Sequence, residues 1–414
     1  MEAHGVRVPL AVIGAAAAAG AATLLLRPRS GLIDPAPVRA EGYFSEDELQ
    51  RARAFRRPQR AIAFSGMGVS GATVLGLALR PPEVLSRLRD RPLAGAAATG
   101  AAGSLFFTAL GLPFSAVSHR RSVRFGLSTQ SWRSWFSDLG KATALGTGFS
   151  AAGAALGMGL VRRYPRRWWM PGSAAIVGVG GAFTFLSPLL LDPIFNKFTP
   201  LPEGPLRTEV LSLAEKAGVD VGEVYRVDAS RRTTGVNAYV WGLGRTKRVV
   251  LYDTLIDGFP ADQVRSVVAH ELSHVKHRDV PRGLLWLAIV APLGTLLVKE
   301  IANSLSDDSE PSPAMLPALA LATSLVSFWG QVAGNVLSRA VERRADAFAL
   351  SLTDEPEPFI EMERALSVKN LGDPSPPRLM QLLFGTHPDT LERIGIGVAW
   401  GTRGGGAAPA EQQQ

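Results

Sequence analysis

The sequence predicts a mainly α-helical membrane protein, in which a bundle of seven transmembrane helices encloses a polar chamber and a small α+β domain lies at the membrane face. Three observations support this fold class. Seven stretches of the chain are apolar and uncharged, a polar stretch between the fifth and the sixth shows short strand patterns, and polar side chains follow one face of the last apolar stretch. These features are typical of a membrane bundle with a soluble insert and a polar interior.

Seven apolar stretches can form helices across a bilayer, which takes about 20 residues. Six of them have at least 19 residues without a charge. The sixth in chain order has only 16, and it needs Arg282 and Lys299 to extend toward the membrane surfaces. The seven stretches are residues 8–26, 61–79, 92–118, 142–161, 168–191, 283–298 and 311–338.

The polar segments between these stretches predict further elements. Ser45 and Glu48 match a capping box, so we expect a helix from Ser45 to Arg57 that lies on the membrane surface. The tail is rich in Gly, Ala and Gln, which predicts disorder. Between the fifth and sixth stretches, the pattern predicts a helix over 205–217 and strands over 224–227, 238–241 and 249–252, with a hairpin turn at 242–244.

The chain therefore divides into five predicted parts. Residues 1–191 hold five transmembrane helices with amphipathic connecting loops, 192–282 form a soluble insert, 283–338 form a transmembrane hairpin, 339–403 form a second soluble segment and 404–414 form the disordered tail. Because the two soluble segments flank the hairpin, they meet at one membrane face. A site that takes residues from both would lie at that face.

His270 and His274 are four positions apart, and Glu271 directly follows the first of them. Positions i and i+4 share one helix face, so both imidazoles can bind one metal ion. Glu271 can then stay off the metal and take a proton from a water molecule. Val264 and Val268 supply the apolar stripe of the helix. The pattern indicates a hydrolytic site with one Zn²⁺ per chain; the alternative is an ordinary helix with surface or core histidines.

A catalytic zinc usually has a third protein ligand, and Glu342 is the best candidate. Glu342 and Asp346 form an i,i+4 carboxylate pair, so one can bind the metal while the other holds the outer nitrogen of a ligand histidine. The alternative for this pair is a solvated charged face. Glu300 and Glu310 are weaker candidates because neither has a second carboxylate on its helix face. His277 lies about 10 Å along the helix from the first histidine, so we expect it beside the site or on the surface.

Composition narrows the class of protein. The chain is 46% hydrophobic and 19% charged, and its 43 glycines suit close packing of helices in lipid. Cysteine is absent from the sequence, which excludes disulfides and a thiol nucleophile. The net charge of +8 comes from basic residues beside the apolar stretches, so we expect membrane lipids and not nucleic acid as the partner.

The basic residues also predict an orientation. Residues 27–60 carry eight arginines and 119–141 carry five Lys or Arg, whereas the opposite loops 80–91 and 162–167 carry four each. The positive-inside rule then places both soluble segments in the cytoplasm. The usage of Ala, Gly and Arg is typical of a high-GC bacterium, and the sequence ends without a retrieval signal, so we expect the plasma membrane.

The motifs together resemble the type I CAAX prenyl protease family, which are integral-membrane zinc endopeptidases. Their order along the chain is more specific than any single motif. The matching pieces are FGLSTQ at 125–130 with Asp138, DPIFNKFTPL at 192–201, NAYVWG at 237–242, VLYDTL at 250–255, HELSH at 270–274, ERRAD at 342–346, and THP at 386–388 followed by Arg393 and Ile394.

The resemblance implies a role for each matched residue. His270, His274 and Glu342 would bind zinc, with Glu271 as general base and Asp346 orienting a ligand histidine. Asn237, Ala238 and Tyr239 would hold the substrate backbone as an edge strand. His387 and Arg393 would lie near the reaction centre and stabilise the developing oxyanion. The alternatives are a turn residue for Asn237, a helix-surface charge for Arg393 and a helix start for His387.

The resemblance also implies a large water-filled chamber, and one polar stripe supports it. Polar groups at helical spacing in a membrane helix face a wet cavity or pair with another helix, and we favour the cavity. The stripe comprises Ser327, Gln331, Asn335, Arg339, Glu342 and Asp346.

The predicted function is zinc-dependent hydrolysis of peptide bonds in peptide or membrane-protein substrates that are lipid-modified in some cases. Prenylated substrates are not expected in a bacterium. The resemblance therefore predicts the substrate less specifically than it predicts the peptidase chemistry. The alternatives are a quality-control protease that clips damaged membrane proteins and a non-catalytic scaffold or transporter. The intact Glu271 argues against the scaffold.

Overall fold

The computed structural model describes residues 2–241, 247–305 and 311–403 of the chain. Fifteen α-helices and four strands lie in these ranges. The helices are α1 (Glu2–Leu26), α2 (Glu46–Leu79), α3 (Glu83–Ser86), α4 (Pro92–Arg124), α5 (Trp132–Arg163), α6 (Trp169–Leu190), α7 (Asp192–Phe195), α8 (Pro205–Lys216), α9 (Asp253–Ile256), α10 (Ala261–Lys276), α11 (Asp279–Leu305), α12 (Leu316–Thr353), α13 (Pro356–Lys369), α14 (Arg378–Phe384) and α15 (Thr390–Thr402). The strands are β1 (Phe198–Pro200), β2 (Glu223–Val227), β3 (Ala238–Trp241) and β4 (Arg248–Tyr252).

Seven of the described helices are long and apolar enough to cross a membrane, which confirms the predicted bundle. Each overlaps one predicted stretch, and most extend beyond it because a helix does not end at its first charged residue. The candidate spans are Arg7–Leu26, Glu46–Leu79, Pro92–Arg124, Trp132–Arg163, Trp169–Phe195, Asp279–Leu305 and Pro313–Thr353.

The predicted surface helix after Ser45 is wrong as a separate element. The capping box is present, since the Ser45 hydroxyl accepts from the Glu48 amide and the Glu48 carboxylate accepts from the Ser45 amide. From there α2 runs without a break to Leu79. Two of its arginines dock on the C-terminal segment: Arg56 donates to the carbonyls of residues 370 and 371, and Arg60 lies 3.3 Å from Asp373. Arg56 and Arg60 therefore pair with protein groups and not with lipid headgroups.

The soluble insert contains one four-stranded sheet in the order β1-β2-β4-β3. β2 and β4 are parallel, whereas β1 pairs with β2 and β3 pairs with β4 in antiparallel directions. Three of the strands match the predicted ones to within one residue. β1 has only three residues, too few for a recognisable alternation. β3 is an edge strand, and the predicted turn that follows it at 242–244 lies outside the described residues, as does the predicted tail 404–414.

The last span continues into the soluble part as one helix. α12 has 38 residues, so the predicted boundary between residues 338 and 339 falls inside it. Its C-terminal half packs in the main core of the soluble part, together with α8, α10, α13, α15 and the sheet. Leu251, Leu272, Leu350 and Phe359 are among its fully buried side chains. The helix therefore connects the membrane bundle rigidly to the core of the soluble part.

A cavity of about 1790 Å³ lies between α2, α4, α5, α6, α11 and α12 and reaches the end of α10. The sequence predicts a polar chamber, but polar side chains such as Gln331 and Ser338 concentrate toward the end near His274. Elsewhere the walls are mainly apolar and glycine-rich, and hydroxyls such as those of Thr99 and Ser324 donate to carbonyls of their own helix. A hydroxyl bonded in this way adds little polarity to the wall.

The polar stripe on α12 divides into three parts. Ser327 and Gln331 line the cavity, as expected. Asn335 is buried and donates to the Leu383 carbonyl at 3.0 Å, while Arg339 donates to the Gly385 carbonyl at 2.6 Å. These two residues pair with α14 and the loop after it, so the preference for a wet cavity is wrong for them. The remaining carboxylates, one and two turns farther on, approach the histidines of α10.

Candidate metal centre

The geometry of α10 brings two imidazoles together. Pro260 precedes its first turn, and Val264, Val268 and Leu272 form a buried stripe against the core. The opposite face carries His270 and His274, whose Nε2 atoms are 3.3 Å apart. Two ring nitrogens at this distance, on positions four apart, are arranged to contact the same ion.

Glu342 on α12 adds a carboxylate to the two imidazoles. Its Oε2 lies 3.1 Å from His270 Nε2, and its Oε1 lies 3.7 Å from His274 Nε2. Ligands of a tetrahedral zinc, at bond lengths of about 2.0–2.2 Å, are about 3.3–3.5 Å from one another. The observed distances are close to this spacing, and the carboxylate faces each ring with a different oxygen. Glu271 is a second carboxylate within 4.8 Å of both imidazoles.

Each histidine is held from behind by an aspartate. His270 Nδ1 lies 2.8 Å from Asp346 Oδ1, and His274 Nδ1 lies 3.1 Å from Asp279 Oδ2. A carboxylate on Nδ1 fixes the tautomer that carries its proton there, so both Nε2 lone pairs point at the Glu342 carboxylate. Acceptors that converge on one point repel one another unless a proton or a metal cation lies between them. The donor set therefore fits a metal ion.

Several carboxylates surround the point at which the two Nε2 atoms converge. Burial alone would lower the pKa of His270, but hydrogen bonds to Asp346 and Glu342 outweigh it and raise that pKa to about 10. The same two carboxylates attract a divalent cation. Burial raises the pKa of Glu271 above its ordinary value, although the two histidines oppose the shift. Glu271 is therefore a better proton acceptor than an exposed glutamate.

Arg393 on α15 supports the site from its outer side. Its Nη2 donates to Asp346 Oδ1 at 2.5 Å and its Nε donates to Asp346 Oδ2 at 2.9 Å, while Nη1 lies 2.8 Å from Glu363. Burial alone would lower the pKa of Arg393, but the two carboxylates raise it. Burial raises the pKa of Glu363 to about 7, against the effect of Arg393. All three guanidinium nitrogens are thus engaged on the Nδ1 side of His270, away from the convergent Nε2 atoms.

His387 lies beside Glu342, on the side of the site where the Nε2 atoms of the two histidines converge. Its Nε2 is 3.4 Å from Glu342 Oε2, and its side chain is 57% exposed. The loop that carries it follows α14, and Gln381 donates to the His387 carbonyl at 2.6 Å. This imidazole can therefore reach a group that binds beside Glu342.

The edge strand begins beside the same histidines. Asn237 and Ala238 line a pocket of about 310 Å³ that also includes His270 and Glu271. The Asn237 carbonyl accepts from the Tyr252 amide at 3.2 Å, while the Tyr239 hydroxyl lies 3.3 Å from Asp192. Asn237 and Ala238 thus line the pocket beside the metal centre, whereas the Tyr239 hydroxyl contacts Asp192.

Sequence reasoning missed Asp279, Arg344 and Glu363. Asp279 binds Arg344 and Arg282 as well as His274, and it directly follows Arg278, whose φ of 55° separates α10 from α11. An acidic residue five positions past the second histidine was the available signal. Glu363 has no such signal in the sequence, because its partner Arg393 is 30 positions away.

Two other candidates, His277 and Glu300, lie apart from the site. His277 caps the end of α10, with its Nδ1 2.9 Å from the Ser273 carbonyl, and packs against Phe348. Glu300 pairs with Lys299 at 2.7 Å, near the far end of α11. Glu310 is outside the described residues.

Comparisons with known proteins agree with this architecture. Residues 200–396 match the model of peptidase family M48, and residues 35–197 match that of the CAAX prenyl protease N-terminal region of five membrane helices. The chain is 20% identical to S. mikatae Ste24p in its crystal structure, with a TM-score of 0.73 over 95% of this chain and 98% of the other. That likeness shows the fold.

Curated relatives include bacterial and eukaryotic proteins. The chain is 28% identical over 299 residues to an uncharacterized metalloprotease, YhfN, of Bacillus subtilis, and the match covers 70% of each chain. It is 26% identical to CAAX prenyl protease 1 of Saccharomyces cerevisiae, over 69% of this chain and 68% of that one. A homologue from Arabidopsis thaliana is 32% identical over half of each chain. The two family matches together span both the bundle and the metal centre, and the chain is therefore a multi-pass membrane metalloprotease that belongs to peptidase family M48.

Proposed function

We propose that the protein is a zinc endopeptidase with one Zn²⁺ per chain, held by His270, His274 and Glu342. The convergence of the two Nε2 atoms and the Glu342 carboxylate at 3.1–3.7 Å, with the outer nitrogen of each histidine bonded to an aspartate, carries this proposal. When bound there, zinc would polarise the scissile carbonyl and lower the pKa of a water molecule. Asp346 and Asp279 keep both ligand rings in the orientation that this binding requires.

Glu271 is the proposed general base. It follows a ligand on the helix, and its own side chain lines the smaller pocket, where a peptide bond would have to lie. Glu271 takes a proton from the attacking water and then passes it to the nitrogen of the leaving amine. The raised pKa of Glu271 is nearer to neutral pH than that of an exposed glutamate, and this favours both proton transfers.

The substrate backbone is proposed to add to the edge strand β3 at Asn237, Ala238 and Tyr239. An edge strand offers main-chain hydrogen bonds to an extended peptide of any sequence. His387 lies next to Glu342 and can donate to the oxyanion that develops on the carbonyl. Arg393 remains a predicted site residue, but its three engaged nitrogens suit it to holding Asp346 and not to contacting the substrate.

The proposed substrates are peptides or membrane proteins, including lipid-modified ones. The cavity of about 1790 Å³ joins the metal centre, and its mainly apolar walls suit an alkyl chain or an unfolded apolar segment. Several relatives are named CAAX prenyl proteases, which favours the lipid-modified class. The proposed setting is a bacterial plasma membrane, with the metal centre on the cytoplasmic side, because the loops on that side carry more basic residues.

The test is peptide-bond cleavage by the purified wild type and Glu271→Gln in detergent, with zinc measured in both. The substrates are a prenylated peptide, its unprenylated form and an unfolded membrane-protein fragment. We expect zinc in both proteins and cleavage only by the wild type. Preference for the prenylated peptide supports the lipid-modified class, and preference for the fragment supports a quality-control role. A Glu271→Gln variant that cleaves at the wild-type rate would refute the assignment of the base.

A further inference from the structure

The short helix α14 carries three large apolar side chains that the rest of the protein leaves partly uncovered. Leu379 is 59% exposed, Leu382 is 49% exposed and Phe384 is 41% exposed. Leu379 and Leu382 are three positions apart, so they share one face of the helix. Both lie outside the walls of the two cavities that meet at the metal centre. An apolar face of this kind is typical of a surface that contacts a partner or a membrane.

The end of α14 lies at the depth of the membrane spans. The ring centroid of Phe384 is 5.6 Å from that of Phe64 on α2 and 6.2 Å from that of Phe328 on α12. These two partners belong to the apolar stretches 61–79 and 311–338. The first charged residue of α12 is Arg339, which lies about 16 Å along the helix from Phe328. Although α14 is not a span, it therefore reaches into the apolar layer that the spans define.

The exposed face of α14 continues the outer surface of the bundle. Phe64 is itself 40% exposed and lies outside the walls of the large cavity, so it faces away from the bundle interior. It belongs to a candidate span, whose outer surface contacts lipid. Because Phe384 packs against Phe64 and is exposed beside it, the surrounding lipid that covers Phe64 also reaches α14.

The backbone at the end of α14 is satisfied in the way that lipid requires. The carbonyls of Gln381 and Gly385 accept from Arg339, and the carbonyl of Leu383 accepts from Asn335. The last carbonyls of a helix lack partners within the helix, and at an aqueous surface water can serve them. Lipid offers no such donor, so an unpaired carbonyl there is costly. The two side chains of α12 supply the donors that a helix end in lipid needs.

We propose that α14 is a lipid-contacting helix, whose face of Leu379, Leu382 and Phe384 is covered by acyl chains of the leaflet nearer the metal centre. The helix leads directly into the loop of His387, and Gln381 donates to the His387 carbonyl at 2.6 Å. Through α14 the bilayer therefore anchors the loop that places His387 beside Glu342. This consequence for catalysis rests on the proposed peptidase function, whereas the lipid contact does not.

The first test locates α14 relative to the bilayer. Since the chain has no cysteine, a single one can be introduced by Leu379→Cys or Leu382→Cys and labelled with an environment-sensitive fluorophore. The labelled proteins are placed in phosphatidylcholine vesicles with and without a nitroxide on the acyl chains. We expect both labels to lose as much fluorescence as one in Ile13→Cys, an exposed position of the first span. Ser351→Cys, at an exposed position of α12 in the soluble part, should lose little.

The second test measures the anchoring of the loop. In the double variant Leu379→Ser with Leu382→Ser, kcat should fall by about 10-fold while zinc content stays unchanged, because a small displacement of His387 is enough to slow the reaction. Leu379→Met with Leu382→Met keeps the face apolar and should keep kcat. Equal kcat in the serine and methionine variants would overturn the anchoring.

The fluorescence outcomes decide the lipid contact independently of activity. Labels at both leucines that are quenched no more than the label in Ser351→Cys overturn it. So does a disulfide-linked dimer of Leu382→Cys without quenching, because a second copy of the chain would then cover the face. Quenching at both leucines supports the lipid contact even if the wild type cleaves no peptide, a result that would overturn the proposed function and the anchoring.

Discussion

His270 Nδ1 lies 2.8 Å from Asp346 Oδ1, and this contact joins α10 to α12 directly behind the metal centre. Asp346 is fully buried and also binds Arg393 through both of its oxygens. The carboxylate therefore orients a ligand and receives a compensating charge at the same time. A buried carboxylate with a cationic partner keeps its charge, and the charged form can accept hydrogen bonds from the imidazole and from the guanidinium at the same time.

Asp346→Asn should weaken zinc binding by about 10- to 100-fold, which is the usual cost of losing an outer partner of a ligand histidine. The amide keeps the shape but loses the charge that fixes the His270 tautomer. Zinc affinity can be measured by competition with a chelating dye. Asp262→Asn is the control, because Asp262 lies in the first turn of α10 and bonds the Gln263 amide. Equal affinity in the wild type and Asp346→Asn would show that Asp346 does not support the metal.

A second prediction concerns the clamp between α12 and α14. Arg339 donates to the carbonyls of Gln381 and Gly385, and Gln381 donates to the carbonyl of His387. Arg339→Met should release this loop and displace His387, so kcat should fall by about 10- to 100-fold while zinc content stays unchanged. Arg378→Met, at an exposed position at the start of α14, should leave kcat unchanged. Loss of zinc together with kcat would instead point to a general structural role for Arg339.

A third prediction tests the packing of α4 on α5 with two glycines of one helix. A Cβ at Gly100 would lie 2.4 Å from the Ser150 carbonyl oxygen and 2.8 Å from Ala154 Cβ, whereas a Cβ at Gly103 meets nothing within 4 Å. Gly100→Ala should therefore destabilise the protein by about 1–3 kcal/mol through overpacking. Gly103→Ala should be neutral or stabilise it by up to about 1 kcal/mol, since alanine favours a helix. Thermal unfolding in detergent measures both, and equal shifts would contradict the close approach of the two helices.

The sequence predicts those features that depend on short-range periodicity. The seven spans follow from runs without charge, three strands follow from short runs rich in Val and aromatic residues, and the two histidines follow from an i,i+4 spacing. The carboxylate pair on α12 also follows from spacing. Each of these depends on residues within one helix or strand, whose geometry is nearly fixed.

Features that depend on how helices pack were not predictable in this way. The docking of Arg56 on the turn after α13 joins α2 to the C-terminal segment, and no local sequence pattern predicts this contact. Glu363 becomes part of the site only because α13 packs beside α15. Asn335 looks like a cavity residue by spacing, yet α14 covers it. Tertiary contacts decided all three.

The final prediction uses metal removal to distinguish the two carboxylates near the histidines. A metal that binds across α10 and α12 stabilises the folded protein in proportion to its affinity, by about 3–4 kcal/mol at 100 to 1000 times the dissociation constant. A chelator should therefore lower the unfolding temperature of the wild type, and added zinc should restore it. In Glu342→Gln the same treatment should cause little shift, because one ligand is already impaired.

Glu271→Gln supplies the matched comparison, because Glu271 also lies within 4.8 Å of both imidazoles. If Glu342 is the third ligand and Glu271 is the base, Glu271→Gln should keep the full chelator-dependent shift while losing cleavage. If the two roles are exchanged, Glu342→Gln should keep the shift and Glu271→Gln should lose it. The position of Glu342 favours the first result, because its two oxygens lie 3.1 and 3.7 Å from the two Nε2 atoms, close to the separation of ligands on one zinc ion.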